Sequence, residues 1–241
     1  MKVEGRNAVR ELILNGATID KILIQNNLKD SVITEIVNLA KSKKIRFQFV
    51  QQNVLNAETA TKHHQGVIAY TSEFKYSSTE EILEIAKQKN EDPFILILDG
   101  IEDPHNLGSI LRVCECMGVH GVIIERVRAC QVNETVIKTS VGATSYVKVA
   151  RVANINNEIE KLKKKNIWVY ACELGGDDLT KTNLTGGVAI VIGSEGRGTG
   201  KLTLKNCDGT VTIPQYGKIN SLNASVATGI ILYEVVRQRK I

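Results

Sequence analysis

The sequence predicts an α/β protein of two domains, the second of them built on a parallel sheet. Short β-branched segments that are apolar at nearly every position alternate with segments of helical periodicity. This alternation is typical of parallel strands buried between helices. A polar stretch, Glu73–Ser78, interrupts the series, and 241 residues are enough for two modest domains.

Residues 1–75 are assigned to the first domain, a small α/β unit. An amphipathic helix through Val9 and Leu12 precedes a second one over residues 32–40, which Asp30 or Ser31 caps. Strands are predicted at Lys21–Gln25, Ile45–Val50 and Gly66–Thr71.

Residues 76–92 are assigned to a linker and a leading helix, and residues 93–241 to the second domain. Ser78 or Thr79 followed by Glu81 fits a capping box at the start of that helix. The second domain has predicted strands at Phe94–Leu98, Gly121–Ile124, Ile167–Cys172, Val188–Ile192 and Gly209–Ile213. Helices are predicted at Ile110–Met117 and Ile155–Lys165. The last segment predicts an amphipathic helix with one apolar side formed by Leu222, Val226, Ile230, Tyr233 and Val236.

Composition narrows the class of protein. No apolar run approaches the roughly 20 residues that a membrane helix needs, and the N-terminus lacks the apolar stretch of a signal peptide, so we expect a cytoplasmic protein. The five cysteines form no Cys-x-x-Cys pair, which favours free thiols over a metal site.

The positive charge is concentrated in the first domain. Residues 1–75 contain 11 Lys or Arg and 7 Asp or Glu, a surplus of four within the net charge of +5. Such a surplus suits RNA as a partner, and equally suits a merely soluble surface. His63 and His64 are candidates for RNA contact in this domain.

Three polar loops follow predicted strands of the second domain. They are Asp99–Gly108, Gly193–Gly198 and Pro214–Asn223. Ligands of open α/β sheets bind beyond the carboxyl ends of the strands, so we expect these loops to form one site. The glycines allow the backbone to approach a flat ligand, and Ile213 and Leu222 could enclose an adenine. Neither the dinucleotide-binding G-x-G-x-x-G pattern nor a Walker A loop fits these segments.

Together the loops resemble the three motifs of the SpoU family of RNA ribose 2′-O-methyltransferases. Asn106–Arg112 resembles the first motif, N-x-G-x-x-x-R, Ile192–Gly198 the second, and Ile213–Ala227 the third. In the first domain, Gly5–Val9 and His64–Val67 resemble the substrate-binding domain of the branch that methylates a guanosine of large-subunit ribosomal RNA. Ala224 departs from the Val of many members.

The resemblance implies a fold, a cofactor and a set of site residues. The first domain is then of the L30e ribosomal-protein type, and the second carries a deep trefoil knot. The cofactor is S-adenosylmethionine, the substrate is RNA, and the enzyme is a homodimer with its site near the interface. The implied catalytic residues are Asn106, Arg112, Glu195, Ser221 and Asn223. The implied cofactor contacts are Gly193, Gly198, Ile213, Pro214 and Leu222.

Some of these residues have other roles open to them. Glu195 either fixes its loop or contacts RNA. Ser221 and Asn223 either cap the last helix or contact substrate, and His105 either contacts substrate or packs in its loop. The predicted function is methylation of a ribose 2′-hydroxyl in a guanosine of large-subunit ribosomal RNA. The alternatives are a transfer RNA methyltransferase, a ribosomal RNA methyltransferase that confers antibiotic resistance, and a non-catalytic RNA-binding protein of this fold.

Overall fold

The computed structural model describes residues 1–17, 19–28, 30–59, 63–71, 74–218 and 221–240. By its contacts the chain forms two compact units. Unit 1 contains Met1–Lys75 and Val132–Tyr146, and unit 2 contains Tyr76–Gln131 and Val147–Ile241. In the part of the chain that is described, no helix is long and apolar enough to cross a membrane.

Unit 1 contains a four-stranded mixed sheet. Its strands are β1 (Lys2–Glu4), β2 (Ile19–Gln25), β3 (Phe47–Val50) and β4 (Val67–Thr71), in the order β1-β4-β2-β3. β2 pairs in parallel with β3 and antiparallel with β4, which also pairs antiparallel with β1. The predicted strands are confirmed, and β1, which is only three residues long, was not predicted.

Three helices of unit 1 accompany this sheet: α1 (Arg6–Leu14), α2 (Ser31–Ser42) and α3 (Gln52–Glu58). Asp30 is the cap of α2, because its carboxylate accepts hydrogen bonds from the backbone N–H groups of Val32 at 2.9 Å and Ile33 at 3.2 Å. The predicted apolar face of α2 is buried, with Ile33 and Ile36 in the core.

His64 has a structural position in unit 1. Its side chain is only 3% exposed, and its Nδ1 accepts a hydrogen bond of 2.9 Å from the backbone N–H of Gly66. Its Nε2 lies 3.0 Å from Oδ1 of Asn56. The expected RNA contact is therefore wrong for His64, because both ring nitrogens bond within the unit.

A segment from the middle of the sequence belongs to unit 1. It contains α6 (Glu134–Thr139) and a 3₁₀ turn, Ala143–Ser145. Lys138 of α6 pairs with Glu4 of β1, and the Tyr146 hydroxyl donates to the carboxylate of Glu11 on α1. The boundary predicted from the sequence placed this segment in the second domain, because such a boundary assigns every residue after it to the same domain. Its packing does not follow chain order.

Unit 2 contains a six-stranded sheet in which every described pairing is parallel. The strands are β5 (Phe94–Asp99), β6 (Gly121–Glu125), β7 (Lys148–Val152), β8 (Trp168–Asp178), β9 (Val188–Gly193) and β10 (Gly209–Thr212). Their order is β10-β8-β9-β5-β6-β7. The predicted parallel sheet is confirmed, and the central strands β5 and β9 are buried along nearly their whole length. The unpredicted β7 is an edge strand whose Lys148 and Arg151 are exposed, which hid the apolar pattern.

The helices of unit 2 are α4 (Thr79–Gln88), α5 (Pro104–Cys116), α7 (Ile155–Lys163), α8 (Lys201–Asn206) and α9 (Ala224–Lys240). The capping box is confirmed, with Ser78 and Glu81 bonded reciprocally. α5 begins six residues earlier than predicted, because Asp103 caps it and Pro104 occupies its first position. Asn106 therefore lies in the first turn of a helix instead of in a loop.

The last helix buries a different face from the one that its sequence predicts. α9 packs against α5, with Ala224, Thr228, Ile231, Leu232 and Val235 buried. Val226, Ile230 and Tyr233 remain 50%, 39% and 52% exposed. The expectation was wrong because α9 has apolar residues on both sides, and only tertiary packing selects one. We call the side formed by Val226, Ile230 and Tyr233 the open face of α9.

Candidate active site

The site lies at the carboxyl edge of the unit 2 sheet. β9 lies between β5 and β8, and β10 follows β8, so the segments after these four strands are neighbours. A hydrogen bond of 2.9 Å from the Gly200 backbone N–H to Oδ2 of Asp99 ties the segment after β9 to the end of β5. The three loops singled out in the sequence therefore meet at one edge. Ile219 and Asn220 of the third loop lie outside the described residues.

Three of the five predicted catalytic side chains form one hydrogen-bonded cluster. Asn106 Nδ2 donates to Oε1 of Glu195 at 3.1 Å, and Asn223 Nδ2 donates to the same oxygen at 2.6 Å. Asn223 Nδ2 also lies 3.0 Å from Oδ1 of Asn106. Oε1 of Glu195 accepts a third bond, from the backbone N–H of Ala224 at 3.3 Å. We call Asn106, Glu195 and Asn223 the amide–carboxylate cluster.

Asn223 also caps α9. Its Oδ1 accepts the backbone N–H of Ser225 at 2.9 Å, and the Ser225 hydroxyl donates to it at 2.6 Å. Asn223 therefore caps the helix and also belongs to the predicted site. Its side-chain oxygen accepts hydrogen bonds at the start of α9, and its amide nitrogen donates to the other two residues of the cluster. Ser221 is exposed and lines the cavity described below.

Arg112 is apart from this cluster. It is exposed on α5 and lies six residues after Asn106, which places it roughly 120° around the helix axis. Within the described part of the chain, its guanidinium has no hydrogen bond or ion pair. A charged fork with five donors is therefore presented to solvent, where an external anion could bind it.

A cavity of about 590 Å³ opens beside the cluster, within the range of typical ligand pockets. Four of the five predicted cofactor contacts line it: Gly193, Gly198, Ile213 and Leu222. Pro214 does not, although its neighbour Gln215 does. Two predicted catalytic residues, Glu195 and Ser221, also line it.

Glycines shape one wall of this cavity. A Cβ atom at Gly193 would lie 2.2 Å from the carbonyl carbon of Gly198, a distance that no side chain tolerates. Gly198 has φ = +64°, and its Cβ would lie 2.5 Å from Oε2 of Glu173. Only glycines allow the backbone to fold this closely against a ligand space.

Several residues of the cavity were not predicted from the sequence, and two of them, Glu173 and Thr199, are polar and bonded to each other. Glu173, directly after the last β8 residue paired with β9, and Thr199, after the second motif, both line the cavity. Burial raises the pKa of the adjacent Cys172 thiol to about 11, so Cys172 is neutral near pH 7. A carboxylate immediately beyond the carboxyl end of a predicted strand was a signal that could have identified Glu173.

Comparison with known families identifies the fold of this site. Residues 93–233 match the model of the SpoU rRNA Methylase family. The chain belongs to the SpoU family. Residues 2–77 match a second model, described as RNA 2′-O ribose methyltransferase substrate binding. This SpoU member is accordingly an RNA 2′-O-methyltransferase, and the family depends on S-adenosylmethionine.

Its curated relatives cover nearly the whole chain. The SpoU chain is 39% identical over 238 residues to YacO of Bacillus subtilis, covering 98% of this chain and 95% of that one. It is 44% identical over 238 residues to a Staphylococcus aureus protein, covering 98% and 96%. Both relatives are named for the TrmH family of tRNA/rRNA methyltransferases.

Solved structures share the fold. AviRb from Streptomyces viridochromogenes, a SpoU methyltransferase solved with AdoMet, superimposes with a TM-score of 0.82 at 22% identity, over 99% of this chain and 89% of that one. A TrmH/SpoU tRNA-modifying enzyme of A. aeolicus gives 0.56 at 26% identity, over 65% and 83%.

Proposed function

We propose that this SpoU enzyme methylates a guanosine 2′-hydroxyl of large-subunit ribosomal RNA at the amide–carboxylate cluster. The observation that carries the proposal is the convergence of Asn106, Glu195 and Asn223 beside a glycine-walled cavity. Three motifs that are far apart in the sequence thus form one polar cluster beside one cavity. Methyl transfer requires such an arrangement, because the methyl donor and the acceptor hydroxyl must be held next to each other.

The cavity fits S-adenosylmethionine. Its glycine wall at Gly193 and Gly198 admits a backbone contact with a flat base, and the side chains of Ile213 and Leu222 offer apolar surface to adenine. The Oγ1 atom of Thr199 is buried without a hydrogen-bond partner among the described residues, as expected where a polar ligand supplies one. When bound, the cofactor supplies an electrophilic methyl group on a sulfonium.

The residues of the chain orient and activate the ribose hydroxyl. A guanidinium stays protonated at neutral pH, so Arg112 does not serve as a base. We assign it to the neighbouring phosphate, where it stabilises the negative charge that develops on the attacking oxygen. The proton passes to water or to a phosphate oxygen. The amide–carboxylate cluster joins α5, the segment after β9 and the start of α9, and so fixes their positions beside the cavity. Ser221 contacts the substrate from the edge of the cavity.

The enzyme is proposed to act as a homodimer. The open face of α9 carries three large apolar side chains that no described residue covers fully, and Arg112 is exposed on the neighbouring α5. A second copy placed on this face would cover apolar surface. Because α9 packs against α5, which carries Arg112, a partner on this face would also lie beside α5.

The first 75 residues are proposed to bind the RNA. The match of residues 2–77 to a substrate-binding model supports this, as does their surplus of positive charge. The tRNA/rRNA wording in the names of the curated relatives keeps transfer RNA as the second candidate. The trefoil knot, the L30e type of the first domain and a cytoplasmic location stay predictions.

The experiment is tritiated-methyl transfer to ribosomal and transfer RNA from a strain that lacks this gene, followed by mapping of the methylated nucleotide. We expect incorporation into large-subunit ribosomal RNA at one guanosine 2′-oxygen. Incorporation only into transfer RNA would establish the second candidate. No incorporation into any RNA, with cofactor and RNA both bound, would leave a non-catalytic RNA-binding protein.

A further inference from the structure

A polar pair outside the three motifs lines the cavity. The backbone N–H of Thr199 donates to Oε2 of Glu173 at 2.9 Å, which ties the residue after the second motif to the middle of β8, directly after its pairing with β9. Glu173 also lies against Gly198, where a Cβ would touch its carboxylate. A second backbone N–H, that of Leu174, donates to Oε1 of Glu173 at 3.4 Å. The side chain of Glu173 is thus held in place, and its carboxylate retains acceptor sites that these two bonds do not use.

The order of strands locates this pair within the cavity. β8 lies between β10, whose end leads to Ile213, and β9, whose end leads to Gly193 and Glu195. Glu173 therefore stands between the apolar lining suited to adenine and the amide–carboxylate cluster suited to the reaction. In S-adenosylmethionine, the ribose joins the adenine to the sulfonium arm. If the two ends of the cofactor occupied those two regions, Glu173 would be the charged residue available to its ribose.

Thr199 adds an independent observation. Its side chain is 5% exposed, and its Oγ1 has no hydrogen-bond partner in the part of the chain that the structure describes. A buried hydroxyl without a partner is destabilising, so such groups usually mark a ligand or water position. Because Cys172 is neutral, Glu173 is the charged group that the Cys172–Leu174 stretch of β8 brings to the cavity.

We propose that Glu173, together with Thr199, binds the ribose hydroxyls of S-adenosylmethionine. The inference rests on the proposed function, because it assumes that the cavity holds this cofactor. A carboxylate at the end of a parallel strand accepts hydrogen bonds from ribose hydroxyls in dinucleotide-binding folds, and the same chemistry is available here. Glu173 and Thr199 are thus specificity-determining residues for the sugar of the cofactor.

The test measures binding by calorimetry, without turnover. Ligands are S-adenosylmethionine and 5′-methylthioadenosine, which keeps the ribose and lacks the amino-acid arm. We expect Glu173→Gln and Thr199→Val each to weaken both ligands, by about 10- to 100-fold for the carboxylate. Glu160→Gln, an exposed glutamate on α7, is the matched control and should bind like the wild type.

The 2′-deoxy and 3′-deoxy forms of methylthioadenosine separate a ligand contact from a structural effect. The wild type should bind them more weakly than the parent compound. In Glu173→Gln this difference should be smaller, because the carboxylate is lost and Thr199 remains as the ribose contact. If Glu173→Gln weakens S-adenosylmethionine but not methylthioadenosine, the carboxylate binds the amino-acid arm and the inference is overturned.

Two further outcomes separate the role of Glu173 and Thr199 from the assumption that the cavity binds S-adenosylmethionine. Equal binding by wild type, Glu173→Gln and Thr199→Val overturns the inference and leaves the proposed function intact. A folded wild type that binds neither S-adenosylmethionine nor methylthioadenosine overturns both. Should Glu173→Gln unfold, Thr199→Val keeps the test available, because it removes one hydroxyl and leaves the backbone bond to Glu173 in place.

Discussion

Nδ2 of Asn223 lies 2.6 Å from Oε1 of Glu195, and this bond joins the start of α9 to the segment after β9. The same oxygen accepts from Asn106 on α5. One carboxylate oxygen thus holds three segments of the site. Its removal should affect folding and catalysis together.

Glu195→Ala is expected to lower the free energy of unfolding by about 1–2 kcal/mol and to abolish most methyl transfer, because three N–H donors lose their acceptor. Glu195→Gln keeps a carbonyl acceptor, so its stability loss should be smaller. Urea denaturation and single-turnover methylation measure the two effects. Wild-type turnover in Glu195→Ala would contradict the placement of the reaction at this cluster.

Arg112→Lys is expected to reduce kcat by roughly 100-fold, because an ammonium cannot replace the planar fork at a phosphate. Affinity for S-adenosylmethionine and the melting temperature should stay at wild-type values, since Arg112 is exposed and does not line the cavity. Unchanged turnover in Arg112→Lys would remove Arg112 from the mechanism.

Gly198→Ala tests the glycine wall. Because Gly198 has φ = +64° and faces the Glu173 carboxylate, the substitution should cost about 1–2 kcal/mol of stability and weaken S-adenosylmethionine binding about tenfold. Gly118→Ala is the matched control, because Gly118 also has a positive φ, of +71°, a methyl group there would have no atom within 4 Å, and Gly118 does not line the cavity. Equal affinities for the two variants would show that the wall is not part of the cofactor site.

Ile230→Glu tests the homodimer. A charge in the middle of the open face of α9 should convert the dimer to a monomer, because burying an unpaired carboxylate is costly. Light scattering during gel filtration gives the mass. Leu202→Glu introduces the same change at an exposed leucine of α8 and should stay dimeric. A wild type that is monomeric at all concentrations would contradict the proposal.

His64 predicts a pH dependence of stability. Burial lowers the pKa of its imidazole, and the neutral Nδ1 is needed as the acceptor for Gly66. Since the folded pKa lies below the unfolded value of about 6.5, the unfolded state binds the proton more readily. Stability is therefore fully present above about pH 6.5 and decreases as the pH falls through the lower folded pKa.

Burial also lowers the pKa of His120 in unit 2, so both units should be less stable in acid. NMR titration of the His64 ring protons, with His64→Gln to assign them, checks the first contribution separately. A His64 pKa at or above 6.5 would contradict its buried, neutral role.

Local patterns in the sequence were sufficient for most elements. The continuous β-branched runs predicted β5 and β9, and the Ser78–Glu81 pattern predicted the start of α4, because each depends on neighbouring residues alone. β7 was not predicted because the exposed Lys148 and Arg151 interrupt its apolar pattern. β1 was not predicted because three residues are too few to show an alternation of buried and exposed positions.

The sequence by itself determined the family motifs, the parallel sheet and the polar and glycine-rich segments that build the site. Tertiary structure alone decided which side of α9 is buried, that His64 is internal, and that Asn106, Glu195 and Asn223 share one oxygen. It also brought Glu173 and Thr199 to the cavity. The physical reason is that these contacts depend on the order of strands in the sheet. That order joins residues distant in the chain, whereas periodicity and capping report only on residues a few positions apart.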